Sequence, residues 1–165
     1  MGKKTIQYFF TPILNEFLKS VEIDNKLKEA AINNNFELYY QPQFYMGNKK
    51  LRGMEALIRW KQEDGHMISP NVFIPIAEKN GTIIPIGNWV MEQSIKQHAR
   101  WQEQYGMPFV MSINISSLQY FREDFVDTLI GMLKKYKVRP SDIELEITES
   151  ILIDDFSQVS DKLKV

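Results

Sequence analysis

Carboxylate and amide side chains stand inside several otherwise apolar segments of this sequence. Glu55 lies in GMEALIRW, Asn114 in SINIS, and Glu146 and Glu149 in ELEITES. A buried carboxylate without a partner is costly, so each one needs a counter-charge, several hydrogen bonds or a metal ion. Two carboxylates and one amide oxygen that converge at one edge of a sheet would form a set of hard oxygen ligands. Such a set suits Mg²⁺ or Mn²⁺ better than Zn²⁺.

A structural role explains the same residue types. The carboxylates could pair with Arg52, Arg59 or nearby lysines, or could end strands that face solvent. The two histidines, His66 and His98, are far apart in sequence and are assigned to a loop surface and a helix flank, so a histidine-rich metal site is not expected. The residue pattern by itself leaves the structural and the metal-binding interpretations open.

The polar residues fall on predicted strands that alternate with predicted helices. Apolar periodicity predicts a helical segment over 14–32, with a bend near Glu22 or as two short helices, and further helices over 70–80 and 125–136. Another helix is predicted from about Val90 to near Gly106 and Pro108, and a last one from about Asp155. Strands are predicted over 36–41, 50–60, 109–115 and 142–148, with Pro42 ending the first. Ser116 and Gln119 have the spacing of a capping box. Alternating strands and helices indicate an α/β fold with a parallel sheet, in which the strand C-termini gather the functional groups.

Composition narrows the class of protein. The chain has 165 residues, of which 44% are hydrophobic and 25% charged, with a formal net charge of −1 and no cysteine. These values predict one soluble, cytoplasmic domain without disulfides. Neither a nucleic acid polymer nor a membrane is an expected partner, because the net charge is small and no apolar stretch approaches the roughly 18 residues of a membrane span.

Five segments, in order, resemble the characteristic blocks of the EAL domain, the cyclic di-GMP phosphodiesterase domain. EALIRW, beginning at Glu55, is similar to the signature that names the family. The others are YYQPQ (39–43), FIPIAEKNGTIIPIGNWV (73–90), SINIS (112–116) and ELEITES (144–150). Their spacing also matches. The resemblance implies a modified (β/α)8 barrel that hydrolyses cyclic di-GMP to linear pGpG with two divalent cations, Mg²⁺ or Mn²⁺.

The resemblance also implies roles for individual residues. Glu55, Asn114 and Glu146 match metal ligands of the family, and Glu149 matches a glutamate that steadies a loop near the metal site. Gln41 and Arg59 match positions that contact the dinucleotide, and an arginine suits that position because its planar guanidinium can bind a phosphate with two hydrogen bonds. For Gln41 a second interpretation stays open, as a polar residue that ends an edge strand before Pro42.

The resemblance covers part of a barrel. Residues 1–34 resemble the connector between a GGDEF and an EAL domain, and residues 35–165 resemble an EAL domain truncated before the fifth barrel strand, whereas a (β/α)8 domain typically needs about 250 residues. The family's aspartate pair on that strand, which helps to hold the second cation, is therefore missing. We expect no appreciable phosphodiesterase activity from the monomer, and a homo-oligomer that covers the exposed sheet edges.

Two further functions stay open from the sequence. One is a non-catalytic EAL module that binds cyclic di-GMP or a protein partner, although the intact EAL, asparagine and glutamate motifs favour descent from an active enzyme. The other is a truncated reading frame whose product folds and associates without further function.

Overall fold

The structure is a computed structural model that describes residues 7–62 and 64–147, with side chains described from residue 14 onward, residue 16 excepted. Glu149 and the helix predicted from Asp155 lie outside the described residues. The elements, in chain order, are α1 (Gln7–Asn33), β1 (Glu37–Phe44), β2 (Leu51–Lys61), β3 (Met67–Ile68), α2 (Pro70–Asn80), α3 (Ile83–Tyr105), β4 (Val110–Ile115), α4 (Ser117–Tyr120), α5 (Phe125–Tyr136), a 3-10 turn (Pro140–Asp142) and β5 (Ile143–Ile147).

One sheet with the order β1-β2-β4-β5 organises the described residues, and the two-residue β3 pairs with β2 at its side. Strands β2, β4 and β5 are parallel, as predicted, but β1 runs antiparallel to β2. The reason is the short turn between β1 and β2, closed by a hydrogen bond from the Tyr45 N–H to the Lys50 carbonyl. A connection this short joins antiparallel strands only, because a parallel pair needs a long crossover.

The first strand is longer than predicted. It continues through Pro42, which lies opposite Met54, and ends at Phe44. Proline has no N–H to donate and is tolerated in an edge strand, which is the place of β1 in the described sheet. The prediction that Pro42 ends the strand was therefore wrong.

The hydrophobic core lies between one face of the sheet and the helices. Alternate residues of β4 are fully buried on this face, namely Met111, Ile113 and Ile115. Phe36, Trp60 and Phe73 form an aromatic cluster there, with ring centroids 5.5 to 6.1 Å apart. Because strand side chains alternate between the two faces, burying the apolar residues on this side places the intervening polar residues on the opposite side.

Two helix predictions need correction. Helix α1 is continuous over 27 residues, without the predicted bend. Its first apolar stripe, which includes Phe17 and Val21, is 41 to 64% exposed, whereas Leu27 and Ala30 are buried, so the change of phase marks a change of environment along a continuous helix. Helix α3 begins at Ile83, earlier than predicted, because Pro85 falls in its first turn, where proline is tolerated.

His98 lies in the core and not on a helix flank. Its side chain is 1% exposed, and Nε2 lies 3.1 Å from the Phe109 carbonyl oxygen. His66 is exposed in the loop before β3, as predicted. The two histidines thus have separate surroundings, one on the surface and one in the core.

Candidate functional site

Four of the predicted site residues form a staggered row across the sheet, since Glu55 stands opposite Ser112 and Asn114 lies two residues further along β4. Gln41 pairs with Glu55 in the β1–β2 register, and Asn114 pairs with Glu146 in the β4–β5 register. The two pairs meet where the Asn114 Nδ2 donates a hydrogen bond to the Glu55 Oε1 at 2.9 Å. Side chains of directly paired residues project from the same face of a sheet. The fold therefore brings Gln41, Glu55, Asn114 and Glu146 together on the face opposite the core.

A second polar row lies on the same face, nearer the start of β4 and β5. The Arg52 Nη1 donates to the Gln43 Oε1 at 2.8 Å, and the other guanidinium branch forms an ion pair with Glu144. The Ser112 hydroxyl donates to Glu144 at 3.4 Å. The Glu144 carboxylate holds the pKa of Arg52 above its usual value, chiefly through this hydrogen bond and then through its charge.

This second row decides which carboxylates are structural. Arg52 pairs with Glu144, which is not one of the carboxylates predicted as site residues. Within residues 7–62 and 64–147, neither Glu55 nor Glu146 forms an ion pair. Both are partly exposed, so water solvates their charge. Arg52 thus neutralises Glu144, whereas Glu55 and Glu146 have no cationic side chain in contact with them among the described residues.

Arg59 lies further along β2 and contacts an aromatic ring. Its Nη1 donates to the Ile58 carbonyl at 2.9 Å, and its guanidinium carbon is 5.5 Å from the centroid of the Tyr39 ring. This distance is that of a cation–π contact, which orients the guanidinium plane. We did not predict Tyr39 as a site residue. The signal was available, because Tyr39 is two residues from Gln41 and a strand places such residues on one face.

Where β4 ends, the chain turns toward helices α2 and α3. The predicted capping box does not form: the Ser116 hydroxyl makes no cap of α4 and donates instead to the Glu78 Oε1 of α2 at 2.8 Å. The Gln119 Nε2 donates to the Asn88 Oδ1 at 3.2 Å. A mostly apolar cavity of about 210 Å³ lies here, and Arg59, Ser116 and Gln119 contribute to its lining.

The residues of the first row have the ligand atoms that a hard cation prefers, but they are too few to fill its coordination sphere. Glu55, Asn114 and Glu146 offer only oxygen atoms as metal ligands, which is the chemistry of Mg²⁺ and Mn²⁺ sites. In the part of the chain that the structure describes, no group of three or more His, Asp or Glu side chains is arranged to hold a metal ion. A cation here would therefore keep several water ligands, or would take ligands from elsewhere.

The sheet, with its helices on one face and a row of oxygen donors on the other, is the architecture of part of an α/β barrel with its site at the strand ends. The sequence model of the EAL domain matches residues 24–164. This protein belongs to the EAL domain family.

Among curated relatives, the chain is 36% identical over 156 residues to the signaling protein YkoW of Bacillus subtilis, covering 94% of this chain and 19% of that protein. It is 31% identical over 154 residues to the bifunctional diguanylate cyclase/cyclic di-GMP phosphodiesterase MucR of Pseudomonas aeruginosa, covering 93% of this chain and 22% of MucR. The chain thus spans about a fifth of the length of these relatives.

Solved EAL structures share the fold. The EAL enzyme Bd1971 in its cAMP-bound form superimposes with a TM-score of 0.78 at 33% identity, covering 99% of this chain and 49% of that one. The MucR phosphodiesterase in complex with c-di-GMP gives a TM-score of 0.78 at 31% identity, covering 83% of this chain and 56% of that one. The predicted fold is confirmed. In the described residues, no helix has the length and apolarity to cross a membrane.

Proposed function

We propose that this chain provides the first half of a cyclic di-GMP site of the EAL type. The observation that carries the proposal is the contact between Asn114 and Glu55, beside Glu146, on the face of the sheet opposite the core. Two carboxylates that form no ion pair with any described residue, and an amide held in the same row, suit a divalent cation that in turn attracts phosphate. The family membership and the relatives named for cyclic di-GMP support the same function.

Each residue then has a distinct task. Glu55, Asn114 and Glu146 would hold Mg²⁺ or Mn²⁺. Arg59 binds a phosphate of the dinucleotide, and Gln41 donates a hydrogen bond from its side-chain amide to the dinucleotide. The cation–π contact with Tyr39 orients the Arg59 guanidinium. Glu149 is proposed to steady the adjoining loop on the strength of the family match alone.

Hydrolysis needs more oxygen ligands than this row contains. In two-metal hydrolysis, the cations together activate the attacking water and stabilise the leaving oxygen. With two carboxylates and one amide, this row binds at most one cation weakly. We therefore propose that this chain binds cyclic di-GMP without cleaving it, and that turnover requires the remainder of an EAL domain, from a longer chain or from another one.

The test is a titration of the purified 165-residue protein with cyclic di-GMP, with and without Mn²⁺, that follows bound ligand and linear product in the same samples. Binding that requires Mn²⁺ and yields no product is the expected outcome. Product formed by monodisperse protein would contradict the incomplete site. Absence of binding in both conditions would contradict the proposed function as a whole.

Two matched variants test whether the Mn²⁺-dependent binding depends on the row that contains Glu55. Glu55→Gln keeps the size and the hydrogen-bond acceptor of Glu55 but removes the charge, so the Mn²⁺-dependent part of the binding should fall about 10-fold or more. Glu144→Gln is the control, because Glu144 pairs with Arg52 in the neighbouring row. Equal losses in the two variants would indicate a general change of charge on this face.

The open sheet edge supports a proposal about assembly. In the described residues β5 pairs with β4 alone, which leaves its other edge unpaired, and an unpaired edge favours association. We propose a homo-oligomer, which light scattering at micromolar concentration tests; a stable monomer would contradict it. A cytoplasmic location is part of the same proposal, since a cysteine-free chain fits a reducing compartment.

A further inference from the structure

Glu78 lies outside the row of proposed cation ligands but contacts the strand that carries one of them. It sits near the C-terminal end of α2, and its Oε1 accepts a hydrogen bond of 2.8 Å from the Ser116 hydroxyl. Ser116 follows β4 directly and is two residues from Asn114. The bond therefore ties a helix to the end of the strand, next to the proposed ligand.

The strand end at Ser116 is held only in part by pairing with neighbouring strands. Strand β4 pairs with β2 only as far as Ile113 opposite Ala56, while its pairing with β5 continues to Ile115. Beyond this pairing the backbone turns into α4, a helix of four residues. Such a short helix contributes little stability of its own. The hydrogen bond to the Glu78 carboxylate, stronger than one between neutral groups, therefore helps to orient this turn, together with the backbone hydrogen bonds that the Ser116 carbonyl accepts from Gln119 and Tyr120.

A second polar contact supports the same turn from α3. The Gln119 amide lies 3.2 Å from the Asn88 Oδ1, and Gln119 is 1% exposed. Gly87 leaves the space for this amide, since a Cβ at position 87 would lie 2.2 Å from the Gln119 Oε1. The turn after β4 is thus held from both α2 and α3.

We propose that Glu78 is a positioning residue: through Ser116 it sets the end of β4 so that the Asn114 amide points toward Glu55. The importance of this position for cation binding rests on the proposed function, whereas the orientation of Asn114 does not. Glu78 itself does not bind the cation. Its carboxylate acts on the hydroxyl of Ser116, and the backbone of Ser116 transmits the restraint to Asn114.

The test reads the orientation of Asn114 directly. In the ¹⁵N-labelled protein, the Asn114 side-chain amide signals are assigned by their loss in Asn114→Asp. Glu78→Ala and Ser116→Ala should both shift these signals and speed their exchange with water. Glu78→Gln keeps an acceptor for the hydroxyl and should restore the wild-type signals. The control is Glu92→Ala, which removes a carboxylate of α3 that accepts from Lys135 at 2.6 Å and Tyr136 at 2.9 Å.

Mn²⁺ binding in the same proteins gives the second readout. Glu78→Ala should weaken Mn²⁺ binding about 10-fold, and Glu78→Gln should not. A loss of about 10-fold is the lower end of the effect of removing a residue that orients a metal ligand. Unshifted Asn114 signals in Glu78→Ala and Ser116→Ala would overturn the inference. If Glu78→Ala does not fold, Ser116→Ala, which removes a single oxygen, decides alone. Shifted signals in the variants of a protein whose wild type binds no Mn²⁺ would refute the proposed function and leave the positioning role standing.

Discussion

Replacing Gly53 by alanine tests whether close contact between β2 and β4 is required for the stability of the fold. A Cβ at position 53 would lie 2.3 Å from the Val110 carbonyl oxygen and 3.1 Å from its carbon, whereas ordinary contact begins at 3.4 Å. The obstructing atoms are backbone, so no side-chain rotation relieves the clash and the strands must separate by about 1 Å. Overpacking of this kind costs about 2–3 kcal/mol of the free energy of unfolding. That is a large share of the roughly 5–15 kcal/mol of a typical domain.

Urea unfolding followed by tryptophan fluorescence measures this cost, with the slope of the transition checked for constancy. Gly131→Ala is the matched control: Gly131 is exposed in α5, and nothing lies within 4 Å of the place that a Cβ would take there. That change should stabilise by about 0.5–1 kcal/mol, because alanine is the better helix former. If the free energy of unfolding of Gly53→Ala lies within about 0.5 kcal/mol of the wild-type value, the close packing of β2 on β4 is not a constraint on the fold.

Three further substitutions test other contacts. Gly87→Ala should expel the Gln119 amide, 2.2 Å from the new Cβ, and destabilise by about 1–2 kcal/mol; an unchanged Gln119 in a crystal structure would contradict this. Burial raises the pKa of Tyr40 to about 12 from its ordinary 10.0, because the folded state disfavours the charged phenolate. The stability contributed by the buried, neutral Tyr40 is therefore complete below pH 10 and is lost as the pH rises toward 12. Urea unfolding at about pH 9 and about pH 11.5 is followed by the fluorescence of Trp101, whose ring centroid lies 4.8 Å from that of Tyr40. The free energy of unfolding should fall less at the higher pH in Tyr40→Phe than in the wild type, and equal falls would contradict the role of Tyr40. Ser94→Ala should leave stability unchanged or raise it by about 1 kcal/mol, since the fully buried Ser94 hydroxyl has no hydrogen-bond partner among the described residues; a clear loss in the same urea assay would reveal a partner.

Local pattern was a good guide to the strands and helices. The predicted strands and the helices over residues 70–80 and 125–136 agree with the structure to within a few residues, because period-two and helical spacing reflect which side of an element is buried. The short β3, the start of α3 and the direction of β1 were missed or wrong. The direction of a strand depends on the length of its connection to the next strand and on which strand it pairs with, and neither is a property of the strand's own sequence.

The site shows the same division. Residue types and family resemblance predicted Gln41, Glu55, Asn114 and Glu146 as site residues, and the structure places these residues near one another on one face of the sheet. They did not identify Tyr39, whose contact with Arg59 depends on the pairing of β1 with β2. Sequence spacing also misassigned Ser116 to a local cap, although its partner is 38 residues away on another helix.

The sequence by itself determined the chemistry that this protein can offer, a set of carboxylate and amide oxygens with an arginine, together with the elements that carry it. Only the tertiary structure decided which carboxylate is neutralised. Arg52 could pair with any of several glutamates, and the order and register of the strands place Glu144 within its reach and leave Glu55 to Asn114. Side-chain periodicity is local and can be read along the chain, whereas ion pairing depends on distances between strands that are far apart in sequence.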